Sequence, residues 1–174
     1  MNNRQIIHIS QGEHAVGASE RMCITTILGS CVAACLWDPE AGIGGMNHIL
    51  LPDRAEGPSE YDSFGVNAME VLINEIIKMG GDRRNLKAKL FGGAVLNARL
   101  RGIGTQNSGF AVAFLEAEGI PIVAQSLGGR QARRVEFWPY DGRARQKLLA
   151  IAEDPVVPEK PASAVKNGSE VELF

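Results

Sequence analysis

Residues 24–52, "ITTILGSCVAACLWDPEAGIGGMNHILLP", decide how the chain is read. The octet at 31–38, "CVAACLWD", is apolar at nearly every position, the pattern of a strand covered on both faces. "DPEAG" after it is turn chemistry leading into "IGGMNHILL", so the stretch predicts strand, turn and antiparallel strand. A tight Leu28-Gly29-Ser30 turn sets Cys31 at the mouth of the first strand, with the backbone N–H groups of Ser30 and Cys31 nearby and unpaired. His48 follows 17 positions after Cys31, on the returning strand. With the turn midway, both ends of the hairpin come back to one edge of the sheet, where cysteine and histidine can meet.

Working outward, 5–9 (QIIHI) and 21–28 (RMCITTIL) read as strands joined by the polar, glycine-containing 11–20. From 62 to 79 the period changes to 3.6 residues, with Met69, Leu72, Ile73, Ile76 and Ile77 on one side and Gly80-Gly81 as the stop. "KAKLFGGAV" predicts a strand running into a glycine turn, and "TQNSGFAVAFLEAEG" a second helix built on Phe110, Ala113, Phe114 and Ala117. Strands are expected at 121–126 and 133–139, and a last strand or short helix at 143–150. After Glu153, "DPVVPEKPASAVKNGSE" has no usable periodicity and predicts a disordered tail over 154–174. The expectation is an α+β fold: a single layered domain over 1–153, with a mixed, largely antiparallel β-sheet packed against two main helices.

Composition narrows the function classes. A chain of 174 residues, 45% hydrophobic, fits one core, and 18 Lys+Arg against 20 Asp+Glu gives a net charge of -2, which argues against a nucleic-acid binder. The N-terminal Met-Asn-Asn-Arg-Gln opens no signal-peptide pattern, and no run approaches the ~20 apolar residues of a membrane span, so a cytoplasmic protein without membrane insertion is expected. Cys23, Cys31 and Cys35 are odd in number and lack the spacing of a disulfide framework or a zinc site. With His8, His14 and His48 they form no HxxxH, HExxH or CxxC pattern, and no metal is expected. Gly102-x-Gly104 lies before the second helix but lacks a third glycine and the Walker lysine, so no nucleotide or other cofactor is expected. The basic segment 130–147, with Arg130, Arg133, Arg134, Arg143, Arg145 and Lys147 against Glu136 and Asp141, reads as a solvated surface or as a face toward an acidic protein.

Cys31 has two readings, a small buried hydrophobe or a nucleophile beside two free N–H groups of the kind that hold an oxyanion. His48 has two as well, a satisfied core residue or the base that activates Cys31 for acyl transfer. Thr25 and Thr26 lie on a neighbouring strand, where a hydroxyl can fix the imidazole tautomer, although strand threonines are commonly there for β-propensity.

"LGSCVAACLWDP", "GIGGMNHILLP" and "KLFGGA", at their mutual spacing, resemble the CheD family of bacterial chemotaxis proteins, and the similarity runs through most of residues 5–150. That resemblance implies a layered fold like that of the cytotoxic necrotizing factor catalytic domains. It implies hydrolysis of selected glutamine side chains to glutamate on methyl-accepting chemotaxis receptors, through a cysteine thioester. Carried onto this sequence, the catalytic residues are Cys31, His48 and Thr25, six positions before the cysteine, with Thr26 beside it as the alternative. The backbone of Ser30 and Cys31 forms the oxyanion hole, the partners are receptor cytoplasmic helices, and some members also bind a CheC-type phosphatase. The chain departs from the family pattern at Ser126, where an acidic residue is expected, and in its long tail. The rivals are a non-catalytic adaptor for receptor or phosphatase, and a cysteine hydrolase acting on glutamate methyl esters or small amides.

Overall fold

The structure, a computed structural model, describes residues 4–52, 58–98, 101–150 and 171–174. Among these, ten strands form two five-stranded sheets. The outer sheet is ordered β1 (Gln5–His8), β3 (Met22–Leu28), β8 (Arg133–Phe137), β9 (Ala144–Leu148) and β10 (Val171–Leu173). The inner sheet is ordered β2 (His14–Gly17), β5 (Ile43–Asn47), β4 (Val32–Asp38), β6 (Lys87–Gly92) and β7 (Ile122–Leu127). Two helices, α1 (Pro58–Lys78) and α2 (Arg101–Ala117), pack on the inner sheet, giving layers of sheet, sheet and helices. Pairing is parallel only for β1 with β3 and β6 with β7; the other strand pairs are antiparallel.

The unbroken apolar run of β4 follows from its place at the centre of this stack, where all seven of its residues are buried. Because side chains alternate along a strand, Val32, Ala34 and Leu36 join the core beneath the helices. Ala33, Cys35 and Trp37 face the core between the sheets, with Ile24, Leu28, Phe91 and Phe137. Truncating one such buried aliphatic side chain to alanine costs about 2–5 kcal/mol. Met69, Leu72, Ile73 and Ile76 of α1 are fully buried, and Ile77, expected with them, lies on the flank at 38% exposure.

Several expectations need correction. The 11–20 connection contains β2, whose four residues pair with β5, and its polar sequence hides this because it is an edge strand. Helix α2 begins at Arg101, one turn earlier than the expected start at Thr105, so Gly102 and Gly104 lie inside the helix rather than ahead of it. The buried stripe of α2 is Gly104, Asn107, Ala111, Phe114 and Leu115, while Ala113 and Ala117 face outward. The glycine and the asparagine make this stripe invisible to an apolar count. The open choice at 143–150 resolves as a strand, β9.

The disordered tail expected over 154–174 falls, at 154–170, outside the described residues. Its end is ordered: Val171–Leu173 pairs with β9, and the Phe174 ring packs edge-on to Phe91 at 5.4 Å. Glu172 reaches inward and accepts from Gln146 Nε2 at 2.7 Å, near the buried Arg133 guanidinium. The same Gln146 amide donates to Ser126 Oγ, so this carboxylate supplies negative charge close to the position where Ser126 replaces an expected acid. Arg133 thus belongs to the core rather than to a solvated basic surface. No helix among the described residues is long and apolar enough to cross a membrane.

Candidate active site

Cys31 and His48 are positioned by the hairpin of β4 and β5. Past the end of β5, Val32 and Ile49 exchange both backbone hydrogen bonds, Val32 N to Ile49 O at 3.0 Å and Ile49 N to Val32 O at 2.8 Å. Val32 and Ile49 face the helices, so the residue preceding each of them faces the space between the sheets. Cys31 and His48 therefore lie diagonally across this bridge on one face, a separation of about 7–8 Å between backbone positions that long side chains shorten. Cys31 is half-buried at the fringe of the between-sheet core. His48 is 7% exposed, and its backbone is held by β2's approach, with His48 N donating to Glu13 O and Gly12 N donating to His48 O.

The ring of His48 is oriented by Thr26. Thr26 Oγ1 is 2.8 Å from His48 Nδ1 and donates to the Ile9 carbonyl at 2.7 Å. A hydroxyl has one proton, and Ile9 O can only accept it, so Nδ1 carries the ring hydrogen and gives it to Thr26. In the neutral ring Nε2 is then the unprotonated nitrogen, available as a base. The threonine bonded to the ring is thus Thr26, the alternative, and not Thr25. In β3 the even positions Met22, Ile24 and Leu28 face the between-sheet core together with Thr26, and alternation turns Thr25 toward the outer face. The sequence "MCITTIL" is apolar at both parities, which is why it left the choice of threonine open.

The turn before Cys31 is gripped from the inner side through three successive carbonyls. Ala94 N donates to Gly29 O at 2.9 Å, Asn107 Nδ2 to Ser30 O at 2.8 Å, and Gly93 N to Cys31 O at 2.8 Å. Asn107, 1% exposed, also accepts from Leu51 N through Oδ1 at 3.1 Å, so one amide ties the cysteine turn to the segment just beyond His48. Close packing makes this possible. Gly92, at φ +114°, brings its backbone so near Cys31 O that a β-carbon there would stand 2.1 Å from it. A β-carbon on Gly104 would stand 2.5 Å from Gly93 O, so helix α2 meets the glycine turn backbone to backbone. Asn107 was missed because a lone asparagine inside a helical pattern carries no signal of its own. With the carbonyls occupied on one side, the N–H groups of Ser30 and Cys31 have no backbone acceptor among the described residues, and the Cys31 N–H lies against its own Sγ.

Electrostatics keep both groups neutral at rest. Burial pushes the Cys31 thiol up, partly offset by its own N–H. Burial pushes the His48 imidazole down, partly offset by the negative charge of Glu13. A thiol sharing one strand face with a neutral imidazole whose Nε2 is free suits a reaction in which the proton moves as the sulfur attacks. The other thiols differ: Cys35 is fully buried, with its pKa driven far up, and Cys23, also buried, is pushed up to about 11. Beside the His48 ring, where β1 ends and β3 continues, a cavity of about 370 Å³ has both threonines, Thr25 and Thr26, in its lining, with His8, Ile27, His48 and Arg134. Among the described residues, no cluster of three or more His, Cys, Asp or Glu could hold a metal ion.

Comparison with known proteins agrees with the motifs. The family model for CheD chemotactic sensory transduction matches residues 50–148. A Caulobacter vibrioides protein named "Probable chemoreceptor glutamine deamidase CheD" is 49% identical over 174 residues, covering 97% of this chain and 92% of its own. A protein of the same name from Acidiphilium cryptum is 52% identical over 159 residues, covering 89% of this chain and 84% of its own. Among solved structures, a Neisseria meningitidis protein of the DUF152 family aligns with a TM-score of 0.43 at 10% identity, over 72% of this chain and 62% of the other.

Proposed function

The chain belongs to the CheD family, and from that premise we propose that it hydrolyses selected glutamine side chains on methyl-accepting chemotaxis receptors to glutamate, as a protein-glutamine glutaminase. The observation that carries the mechanism is the Ile9–Thr26–His48 chain of hydrogen bonds, which leaves Nε2 unprotonated on the face shared with Cys31.

In this mechanism the Cys31 thiol gives its proton to His48 Nε2 as Sγ bonds to the side-chain carbonyl carbon of glutamine. The N–H groups of Ser30 and Cys31 receive the developing oxyanion, and the three gripped carbonyls keep them aimed there without reorganisation. The imidazolium then protonates the amide nitrogen, the C–N bond breaks and ammonia leaves, with a thioester remaining on Cys31. Water attacks that thioester while His48 takes its proton; the C–S bond breaks, the imidazolium returns the proton to sulfur, and glutamate is released. The same thioester route underlies the reading of the layered fold as one akin to the cytotoxic necrotizing factor catalytic domain. The protein acts in the cytoplasm, on the helices of the receptor's cytoplasmic part, and each turnover adds one negative charge that biases the receptor's signalling equilibrium.

Incubating a chemoreceptor cytoplasmic fragment with the wild-type protein should release ammonia and raise defined glutamine-containing peptides by about one mass unit, as hydrolysis of an amide through a thioester requires. Cys31→Ala should abolish both signals while keeping the circular dichroism spectrum. Deamidation by Cys31→Ala at the normal rate would overturn the nucleophile. Release of methanol from methylated receptor without ammonia would favour an esterase instead, and receptor binding with neither product would favour an adaptor.

A further inference from the structure

Among the described residues both helices pack on the inner sheet, and the far face of the outer sheet, where Cys23 and Thr25 are buried, exposes a row of side chains beyond them. Strand register defines what that face presents. Ile27 pairs with Arg134, Arg134 with Lys147, and Lys147 with Val171, so these four side chains form a straight row across β3, β8, β9 and β10. All four are exposed, Ile27 at 50% and Val171 at 55%. Two cations therefore stand directly opposite each other in the middle of the row, with an aliphatic side chain at each end. Like charges in that cross-strand position destabilise a sheet. Elsewhere on this face the structure avoids the problem: in the next row Glu136 lies opposite Arg145 and bonds to it. Among the described residues neither Arg134 nor Lys147 has an ion-pair partner.

The row also adjoins the catalytic end of the molecule. Ile27 and Arg134 line the cavity that reaches the His48 ring and Thr26. His8, exposed on the same face, lines it too.

We propose that this row is the docking surface for the substrate: an acidic amphipathic helix of the receptor, laid across the strands, with carboxylates three or four residues apart meeting Arg134 and Lys147 and apolar residues meeting Ile27 and Val171. The dimensions agree. Neighbouring strands lie about 4.8 Å apart, so the two cations match the roughly 5–6 Å between the β-carbons of acidic residues at i and i+3 or i+4 of a helix. Ile27 and Val171, three strand spacings apart at about 14 Å, match two to three helical turns. A helix seated there brings residues at its Ile27 end to the mouth of the His48 cavity. The negative charge of the partner, rather than its shape alone, relieves the unpaired cations, which is why an acidic helix is favoured over a second copy of this chain. The proposal deepens the deamidase reading and rests on it for the identity of the partner.

The test measures binding and reaction separately, using a fluorescein-labelled cytoplasmic fragment of a chemoreceptor. In a Cys31→Ala background, which traps substrate without turnover, fluorescence anisotropy should give a dissociation constant that weakens steeply as salt rises. Arg134→Glu/Lys147→Glu should weaken binding at least tenfold and flatten the salt dependence, whereas Arg134→Lys should bind within about twofold of the parent. Arg134→Glu alone puts opposite charges across from each other, so its urea midpoint should hold or rise, separating lost docking from lost folding. Lys147→Glu should leave the iodoacetamide labelling rate of Cys31 unchanged. Unchanged affinity in the double reversal, binding insensitive to salt, or no binding by the parent would each overturn the docking surface, as would concentration-dependent dimers of the wild type dispersed by the same reversal. Loss of binding on reversal, with no deamidation by the wild type, would retain the surface and remove the deamidase reading. Deamidation at full affinity after reversal would do the opposite.

Discussion

The inner and outer sheets meet around His48, and they constrain their residues in opposite ways. Every residue of β4 and β5 in the inner sheet is buried, so each side chain there is fixed by two layers of neighbours. The outer sheet hides one face of β3 and β8 and leaves Ile6, Ile27, Val171 and Leu173 at half exposure or more on the other. Cys31 and His48 belong to the enclosed sheet, while Thr26 reaches them from the open one. The nucleophile and base are thereby held by packing, and the residue that sets the tautomer is held by strand parity and one carbonyl.

The largest effect separating the two regions should come from glycine. Gly92→Val in the inner sheet puts a β-branched residue at φ +114° with its β-carbon 2.1 Å from Cys31 O, so the backbone of the cysteine turn has to move. Destabilisation of about 4 kcal/mol or more is expected in urea unfolding, together with loss of deamidation. Gly128→Ala, at φ +83° in the loop leading to the outer sheet, meets nothing within 4 Å. It should cost only about 1–2 kcal/mol, the conformational part alone. Equal costs at both sites would erase the contrast in packing.

Next comes the threonine pair, which tests parity in the outer sheet. Thr26→Val leaves Ile9 O and His48 Nδ1 without their partner in a buried setting, a stability cost of about 1–3 kcal/mol. With the ring free to change tautomer, kcat should fall about 10²-fold or more, as expected of a general base that loses its orientation. Thr25→Val, on the opposite face of β3 and buried at 5% exposure without a bond to the ring, should leave kcat within about twofold and cost about 1 kcal/mol of stability. Steady-state ammonia release and urea midpoints on both variants decide it. A Thr25→Val enzyme as impaired as Thr26→Val would mean that position along β3, and not the face, is what matters.

The same contrast explains what was legible in the sequence. The enclosed region announced itself: an unbroken apolar octet, a turn and a glycine-rich return gave the β4–β5 hairpin, and with it Cys31 and His48 on one edge. Periodicity gave both helices, because α1 buries a continuous aliphatic stripe. What escaped was whatever depends on contacts distant in sequence. Thr25 and Thr26 sit in a strand apolar at both parities, and only the register with β1 and β8 says which face is inward. Asn107 is one polar residue in a helical stripe, and its role exists only because Ser30 and Leu51 arrive beside it. The strand β10 lies beyond a segment without periodicity, and its three residues are ordered by the β9 edge rather than by their own propensity.

Acid should act on the enclosed region in particular. Burial lowers the His48 pKa in the folded protein, so the unfolded chain binds its proton more readily. The stability this contributes is complete above the ordinary imidazole value of about 6.5 and is lost as pH falls below it through the folded value. The urea midpoint of the wild type should therefore decline between pH 7.5 and 5 more steeply than that of His48→Gln, which has no proton to gain. Catalysis should show an acid limb below the ordinary imidazole range, since protonation removes the base. Glu13→Gln, which deletes the charge that offsets the depression, should move that limb further toward acid.

The smallest expected effect lies on the outer face, and its smallness is informative. Ile27→Ser replaces a half-exposed aliphatic side chain on the central part of the outer sheet, one position from the fully buried Leu28. If this face is free in the isolated protein, the removed side chain loses little buried area, and stability should change by no more than about 0.5 kcal/mol in urea unfolding. Leu28→Ala next to it faces the between-sheet core and should cost about 2–5 kcal/mol. A two-residue comparison of this kind separates the faces of a single strand without touching His48 or Cys31. Should Ile27→Ser destabilise the isolated chain by about 2 kcal/mol or more, on the order of a buried aliphatic side chain, the outer face would already be covered in solution, and the contrast between an enclosed sheet and an open one would not hold.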